Sequence, residues 1–168
     1  PLKLINNKEM ILHVYDSAAR SSAGEVYVAT PDQKIVDIVK NFGGNAIKTS
    51  DNHETGTDRI FEVFKETLNS EPSIIINLQG DMPNLEPQAI SNLVSYMNKN
   101  KCDIGTLASD FSSKIEIDNP NIVKVAVKEK LSNDIFLNAL DFFRVKTNST
   151  YNLYHHIGIY AFTSKALI

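Results

Sequence analysis

Apolar residues along this chain recur at two spacings, every third or fourth position in some stretches and in short unbroken runs in others, and the two patterns alternate. Between Lys8 and Ala19 the positions Met10, Ile11, Val14, Tyr15 and Ala18 make a helical stripe, with Asn7 as the expected cap and Gly24 following. Val26 to Thr30 reads as a buried strand. A second helix carries Ile35, Val36, Ile38, Val39 and Phe42 and stops at Gly43-Gly44, after which Ala46 to Thr49 forms a short strand. Ser50 to Glu54 is a polar loop. A third helix then turns Ile60, Phe61, Val63, Phe64 and Leu68 inward ahead of a strand from Ser73 to Leu78. The next helix starts near Leu85, tolerates Pro87 in its first turn and buries Ile90, Leu93, Val94 and Met97. Strand character resumes from Ile104 to Ala108.

This β-α alternation implies a mostly parallel sheet covered on both faces, because parallel neighbours need crossovers of about a dozen residues or more. After Ala108 the pattern changes. Ile122 to Val127, Ile135 to Leu137 and His155 to Phe162 read as strands with no helix between them, which predicts a mixed, partly antiparallel second half. The expectation is a single three-layer α/β domain over residues 1–168, with no internal repeat and only a polar interruption at Lys146 to Asn152.

Composition narrows the function classes. A 42% hydrophobic content supports a sizeable core, while a net charge of −3 and a pI near 5.8 give no general field for nucleic acid or anionic lipid. Phosphate binding therefore has to be local. The lone Cys102 excludes an internal disulfide and a cysteine zinc site, fitting a reducing cytoplasm. No apolar run approaches the ~20 residues of a bilayer span, so no membrane insertion is expected. Pro1-Leu2-Lys3 lacks the features of a signal peptide. The chain starts at Pro1 and stops soon after a helix-like Thr163-Ser164-Lys165-Ala166, so further residues are expected at both ends.

Three stretches carry candidate chemistry. In IIINLQGDMP, Ile74 to Pro83, an apolar run ends abruptly at Gln79, Gly80 and Asp81. Ligands in open α/β sheets sit beyond the carboxyl ends of strands, and an acid there can hold a hard cation on a nucleotide's phosphates. The competing reading of Asp81 is a turn residue or a cap of the next helix. Gln79 offers a donor and an acceptor for a sugar hydroxyl or carboxylate, or is simply solvated. In DNHETGTDR, Asp51 to Arg59, Thr55 and Asp58 fit a capping box, the helix start suits an anion, and Arg59 can clamp a carboxylate or phosphate. A capped surface helix explains the same residues. In YHHIGIY, alternation puts His156 and Tyr160 on one strand face with Gly158 between them, a gap for a ligand. His155 and His156 lack a third ligand at metal spacing, and a structural histidine is the alternative. P-loop, dinucleotide and serine-hydrolase motifs are absent from the sequence.

Taken in order, PLKLINNKEMILHVYDSA, VYVAT, HETGTDR, IIINLQGDMP, NPNIVKV and HHIGIY resemble the 3-deoxy-manno-octulosonate (KDO) cytidylyltransferases, or CMP-KDO synthetases, over most of the chain. The resemblance implies a Rossmann-like nucleotidyltransferase fold and a homodimer. It also implies Mg²⁺-dependent transfer of CMP from CTP to the sugar acid for lipopolysaccharide synthesis. By motif position, Asp81 would bind Mg²⁺, Gln79 and Arg59 would hold the sugar acid, and His156 with Tyr160 would line its pocket. His53, Thr55 and Gly56 would face the cytidine. Members of the family begin with a strand and a basic triphosphate loop that would precede Pro1, and carry a later metal-binding aspartate. Met82 stands where glutamate is usual, and Phe136-Leu137-Asn138-Ala139 stands where an aromatic pair is followed by Ser-Arg. A cytidylyltransferase for a sialic acid or amino-KDO, and a non-catalytic copy, remain the alternatives.

Overall fold

The computed structural model describes residues 1–67, 72–132, 135–145 and 150–168. Two compact units are resolved, one made of Pro1–Gly105 with Ile159–Ile168 and the other of Thr106–Gly158.

The first unit opens with a small antiparallel hairpin, β1 (Leu4–Ile5) and β2 (Lys8–Glu9), followed by helix α1 (Met10–Arg20). Asn6 and Asn7 form its two-residue turn with φ of 49° and 62°. Both are left-handed, the conformation that a tight hairpin demands and asparagine tolerates better than most residues. Asn7 is therefore not the helix cap; Glu9 holds that position, without a side-chain capping bond. Strand β3 (Tyr27–Thr30), helix α2 (Gln33–Asn41) and strand β4 (Asn45–Lys48) form a β-α-β unit, with β3 and β4 parallel. Asp32 caps α2 by accepting from the Lys34 N–H at 2.8 Å, and Gly43, at φ 87°, ends it. Ile11, Leu12, Ile35, Val36, Val39 and Ala46 make one buried cluster.

Helix α3 (Gly56–Thr67), strand β5 (Ile74–Asn77) and helix α4 (Pro87–Asn100) continue the unit, with Pro87 in the first turn of α4 as expected. Leu68 lies outside the described residues. Two hydroxyls tie α1 to α4 and its approach: Ser17 donates to the Leu85 carbonyl, and Ser91 to that of Ser21 at 2.7 Å. Strand β6 (Ile104–Ser109) follows. Residues 160–163 of the long strand β9 (Asn152–Thr163) pair antiparallel with β5, joining Asn77 to Tyr160, and the short helix α6 (Ser164–Leu167) ends the chain.

In the second unit, helix α5 (Lys114–Asp118) precedes strand β7 (Lys124–Val127), which lies between β8 (Ala139–Phe143) and the start of β9, antiparallel to both. All four β7 residues are buried. At 0% exposure, Lys124 donates its three N–H groups to the carbonyls of Asn119 (2.5 Å), Ile122 (2.9 Å) and Arg144 (2.8 Å). The strand expected at Ile135 to Leu137 is not formed; the chain there is irregular and the strand begins at Ala139. The reason is exposure. Four of the five β8 residues face solvent, so no alternation of buried side chains marks where pairing begins. The antiparallel character expected of the second half is present in β7, β8 and β9.

Candidate active site

Strand β5 delivers the central residues. Ile74, Ile75 and Ile76 are half-buried, Asn77 is buried, and the chain then leaves the sheet with Gln79 exposed and Gly80-Asp81 in a turn. Asp81 is exposed and makes no hydrogen bond among the described residues. It does not cap α4, whose cap position is Glu86; of the two structural alternatives for this residue, the turn is the one observed.

Helix α3 faces this strand end. Thr55 and Asp58 form the expected reciprocal capping box: the Asp58 N–H donates to Thr55 Oγ1 at 3.1 Å, and the Thr55 N–H to Asp58 Oδ2 at 3.1 Å. The loop leading into it is held by two α3 side chains that sequence patterning did not single out in that role. Arg59 Nη1 donates to Thr49 Oγ1 at 2.6 Å and to the Ser50 carbonyl at 2.8 Å. Glu62 accepts the Ser50 N–H and pairs with His53, whose Nε2–H donates to it. That hydrogen bond, reinforced by the Ser50 amide and the positive charges of His53 and Arg59, holds the Glu62 carboxyl below its ordinary range despite an opposing desolvation effect. Arg59 thus anchors the loop through one terminal nitrogen.

A cavity of about 720 Å³ lies in the first unit, and Gly56, Arg59, Gln79 and Gly80 are among the residues that line it. Its walls are unusual. Every residue from Ala23 to Ala29 and from Pro72 to Gly80 lines it, and consecutive residues can do so only where strand edges, rather than faces, are presented. Among the described residues of the first unit β3 pairs only with β4, and β5 only with β9. Ile11, Val14 and Ala18 of α1, Ile90 and Val94 of α4, and Ile60, Val63 and Phe64 of α3 complete an apolar lining.

The structure therefore brings together Arg59, Gly56, Gln79 and Gly80, with His53 and Thr55 on the loop and first turn beside Arg59. Asp81 follows Gly80 directly, and Tyr160 sits opposite Asn77 in the β5–β9 register. His156 lies in the second unit, 7% exposed, with Nε2 at 2.9 Å from Thr106 Oγ1 and its ring edge-on to Phe142 at 5.0 Å. Burial, and secondarily the neighbouring His155 charge, pushes its pKa below the ordinary value of 6.5. Between that lowered value and 6.5 the unfolded chain binds more protons than the folded one. His156 therefore contributes stability that is present above pH 6.5 and lost as pH falls through the folded value. His156→Gln should flatten this part of the profile, which urea midpoints between about pH 5 and pH 7.5 would measure.

A family model described as cytidylyltransferase matches residues 1–168. The chain belongs to this cytidylyltransferase family. Two relatives within it are close in identity. The 3-deoxy-manno-octulosonate cytidylyltransferase of Thermodesulfovibrio yellowstonii is 39% identical over 99% of this chain and 70% of its own length. The 8-amino-3,8-dideoxy-manno-octulosonate cytidylyltransferase of Shewanella pealeana is 38% identical over 98% and 68%. The solved structure of a CMP:2-keto-3-deoxy-manno-octonic acid synthetase complexed with CTP superposes with a TM-score of 0.85 at 36% identity, covering 99% of this chain and 68% of that one. The cytidylyltransferase fold is thus the α/β nucleotidyltransferase fold expected from the sequence.

Among the described residues no cluster of three or more acidic, histidine or cysteine side chains stands ready to hold a metal ion alone. A solitary unpaired carboxylate at a strand end suits Mg²⁺ all the same, since that ion commonly takes one or two carboxylates and fills its remaining positions with phosphate oxygens and water. In this cytidylyltransferase Asp81 is the residue that fits.

Proposed function

We propose that the complete protein transfers CMP from CTP to 3-deoxy-D-manno-octulosonate, with pyrophosphate as the second product, and that Mg²⁺ enters with the nucleotide at Asp81. The observation that carries this reading is the strand-end pair Gln79 and Gly80, which lines one cavity with Gly56 and Arg59 and is followed directly by Asp81. It occurs in a chain that matches a CTP-bound synthetase of this sugar acid along 99% of its length. The anomeric hydroxyl attacks the α-phosphorus, the bond to the bridging oxygen of pyrophosphate breaks, and the hydroxyl proton leaves. The protein's share is alignment and charge complementarity rather than covalent chemistry. When bound, the ion neutralises charge on the phosphates and on the departing pyrophosphate.

Arg59 is assigned to the sugar carboxylate, Gln79 and Tyr160 to the same sugar, and His53, Thr55 and Gly56 to the cytidine. Support for Arg59 is its place in the cavity lining, where the hydrogen bonds it makes among the described residues use one terminal nitrogen and leave the rest of the guanidinium as a fork. Arg59→Ala should raise the KM for the sugar acid about 10- to 100-fold, the equivalent of a lost charge-assisted contact of about 1.5–3 kcal/mol. Pyrophosphate-release kinetics check this, and an unchanged sugar-acid KM would remove the assignment.

The amino sugar is the second reading, because a relative acting on 8-amino-3,8-dideoxy-manno-octulosonate is 38% identical against 39% for one acting on the unsubstituted sugar. Competition between the two sugars for one preparation decides between them. A non-catalytic copy, the reading that Ala139 keeps open, predicts ligand binding without pyrophosphate release. We place the protein in the cytoplasm, as a homodimer serving lipopolysaccharide synthesis; no helix among the described residues is long and apolar enough to cross a membrane. Sedimentation of the complete protein tests the dimer.

A further inference from the structure

Asn77 is a polar residue where the sequence asks for an apolar one. It ends the run Ile74-Ile75-Ile76 and is 5% exposed, and an amide so placed is costly unless its hydrogen bonds are made. Both of its ends are occupied. Nδ2 donates to Thr57 Oγ1 on the first turn of α3 at 3.2 Å, and Oδ1 accepts from Gln79 Nε2 at 3.3 Å. A relay thus runs from the helix, through a buried amide, to an exposed one.

Gln79 needs such a tether. It is solvent-facing and rotamer-rich, and holding it in one orientation costs side-chain entropy that open solvent would not return. Two further groups stand beside this relay. A Cβ at Gly56 would lie 3.3 Å from Gln79 Nε2, 3.7 Å from its Oε1 and 3.8 Å from Asn77 Nδ2, so the bare first residue of α3 leaves room for both amides. Tyr160 stands directly opposite Asn77 across the β5–β9 pair, on the same face of the sheet. With Nε2 bonded to Asn77, Gln79 presents Oε1 as an acceptor, which suits a sugar hydroxyl and leaves the carboxylate to Arg59.

We propose that Asn77 is a positioning residue, which fixes the Gln79 amide so that its oxygen reads a hydroxyl of the sugar acid. The proposal rests on the assignment of Gln79 to the sugar made above, and a double-mutant cycle in the complete enzyme separates the two. Asn77→Ala should raise the KM for the sugar acid about three- to tenfold, the range of one net hydrogen bond, while the KM for CTP stays within about twofold. In a Gln79→Ala background, Asn77→Ala should add nothing to the sugar-acid KM. If the two effects multiply, or if both KM values rise together with a fall in kcat, Asn77 is a structural residue and the positioning role is overturned. A Gln79→Ala enzyme with unaltered sugar-acid KM overturns the underlying assignment and the proposal with it. Should Asn77→Ala not fold, Thr57→Val removes only the far bond of the relay and replaces it in the same cycle, with the same two outcomes.

Discussion

Replacing Asp81 by alanine is expected to slow pyrophosphate release from CTP by about two to three orders of magnitude, the loss typical when a preorganised charge-stabilising group is removed. Stability should stay within about 0.5 kcal/mol of the parent, because this carboxylate is exposed and makes no hydrogen bond among the described residues. That separation makes the test sharp. Asp81 occupies a turn, but its carboxylate makes no hydrogen bond among the described residues, so Asp81→Asn, of nearly the same shape, removes the charge alone and should be almost as slow. Rates measured over a range of Mg²⁺ concentrations, alongside thermal melts, provide the check. An Asp81→Ala enzyme within tenfold of the parent would end the assignment of this acid to the nucleotide's ion.

The second large effect concerns folding. Lys124→Met should cost about 1.5–3 kcal/mol, because it takes the buried ammonium away from the three carbonyls, those of Asn119, Ile122 and Arg144, that converge on it. Methionine matches the stem in length and apolar character, so the loss isolates the head group. Arginine should not rescue it: a flat guanidinium fork cannot place three donors on oxygens arranged around a point. Urea unfolding of Lys124→Met and Lys124→Arg measures both, and a loss below about 1 kcal/mol for methionine would mean that the ammonium contributes little.

How much of this was legible beforehand differs from element to element. The stripes of α1, α2, α3 and α4 and the runs of β3 and β5 were readable because burial imposes their period directly, and Pro87 and Gly43 marked helix ends by backbone chemistry alone. Asn6-Asn7 held a usable signal that patterning passed over: two asparagines between short extended segments favour a left-handed hairpin turn over a helix cap. Strand β8 had no comparable signal, since its residues are mostly exposed and its register depends on β7, more than ten residues earlier.

The candidate site divides in the same way. Gln79, Asp81, Thr55 and Arg59 stood out because each lies where a strand ends or a helix begins, the places where ligands meet an α/β sheet, although a turn, a cap or a solvated side chain accounts for the same residues. Asn77, Thr57 and Glu62 were missed for a physical reason: each matters through a partner on another element, and sequence neighbours do not disclose that partner. Asn77 offered a hint, a lone amide closing an isoleucine run.

The apolar cavity between the edges of β3 and β5 has one more consequence. Among the described residues the edges of β3 and β5 that border it carry no partner strand, and an unpaired strand edge is a template for another backbone. A suitable guest must be hydrophobic above and below and carry its own ladder of amides.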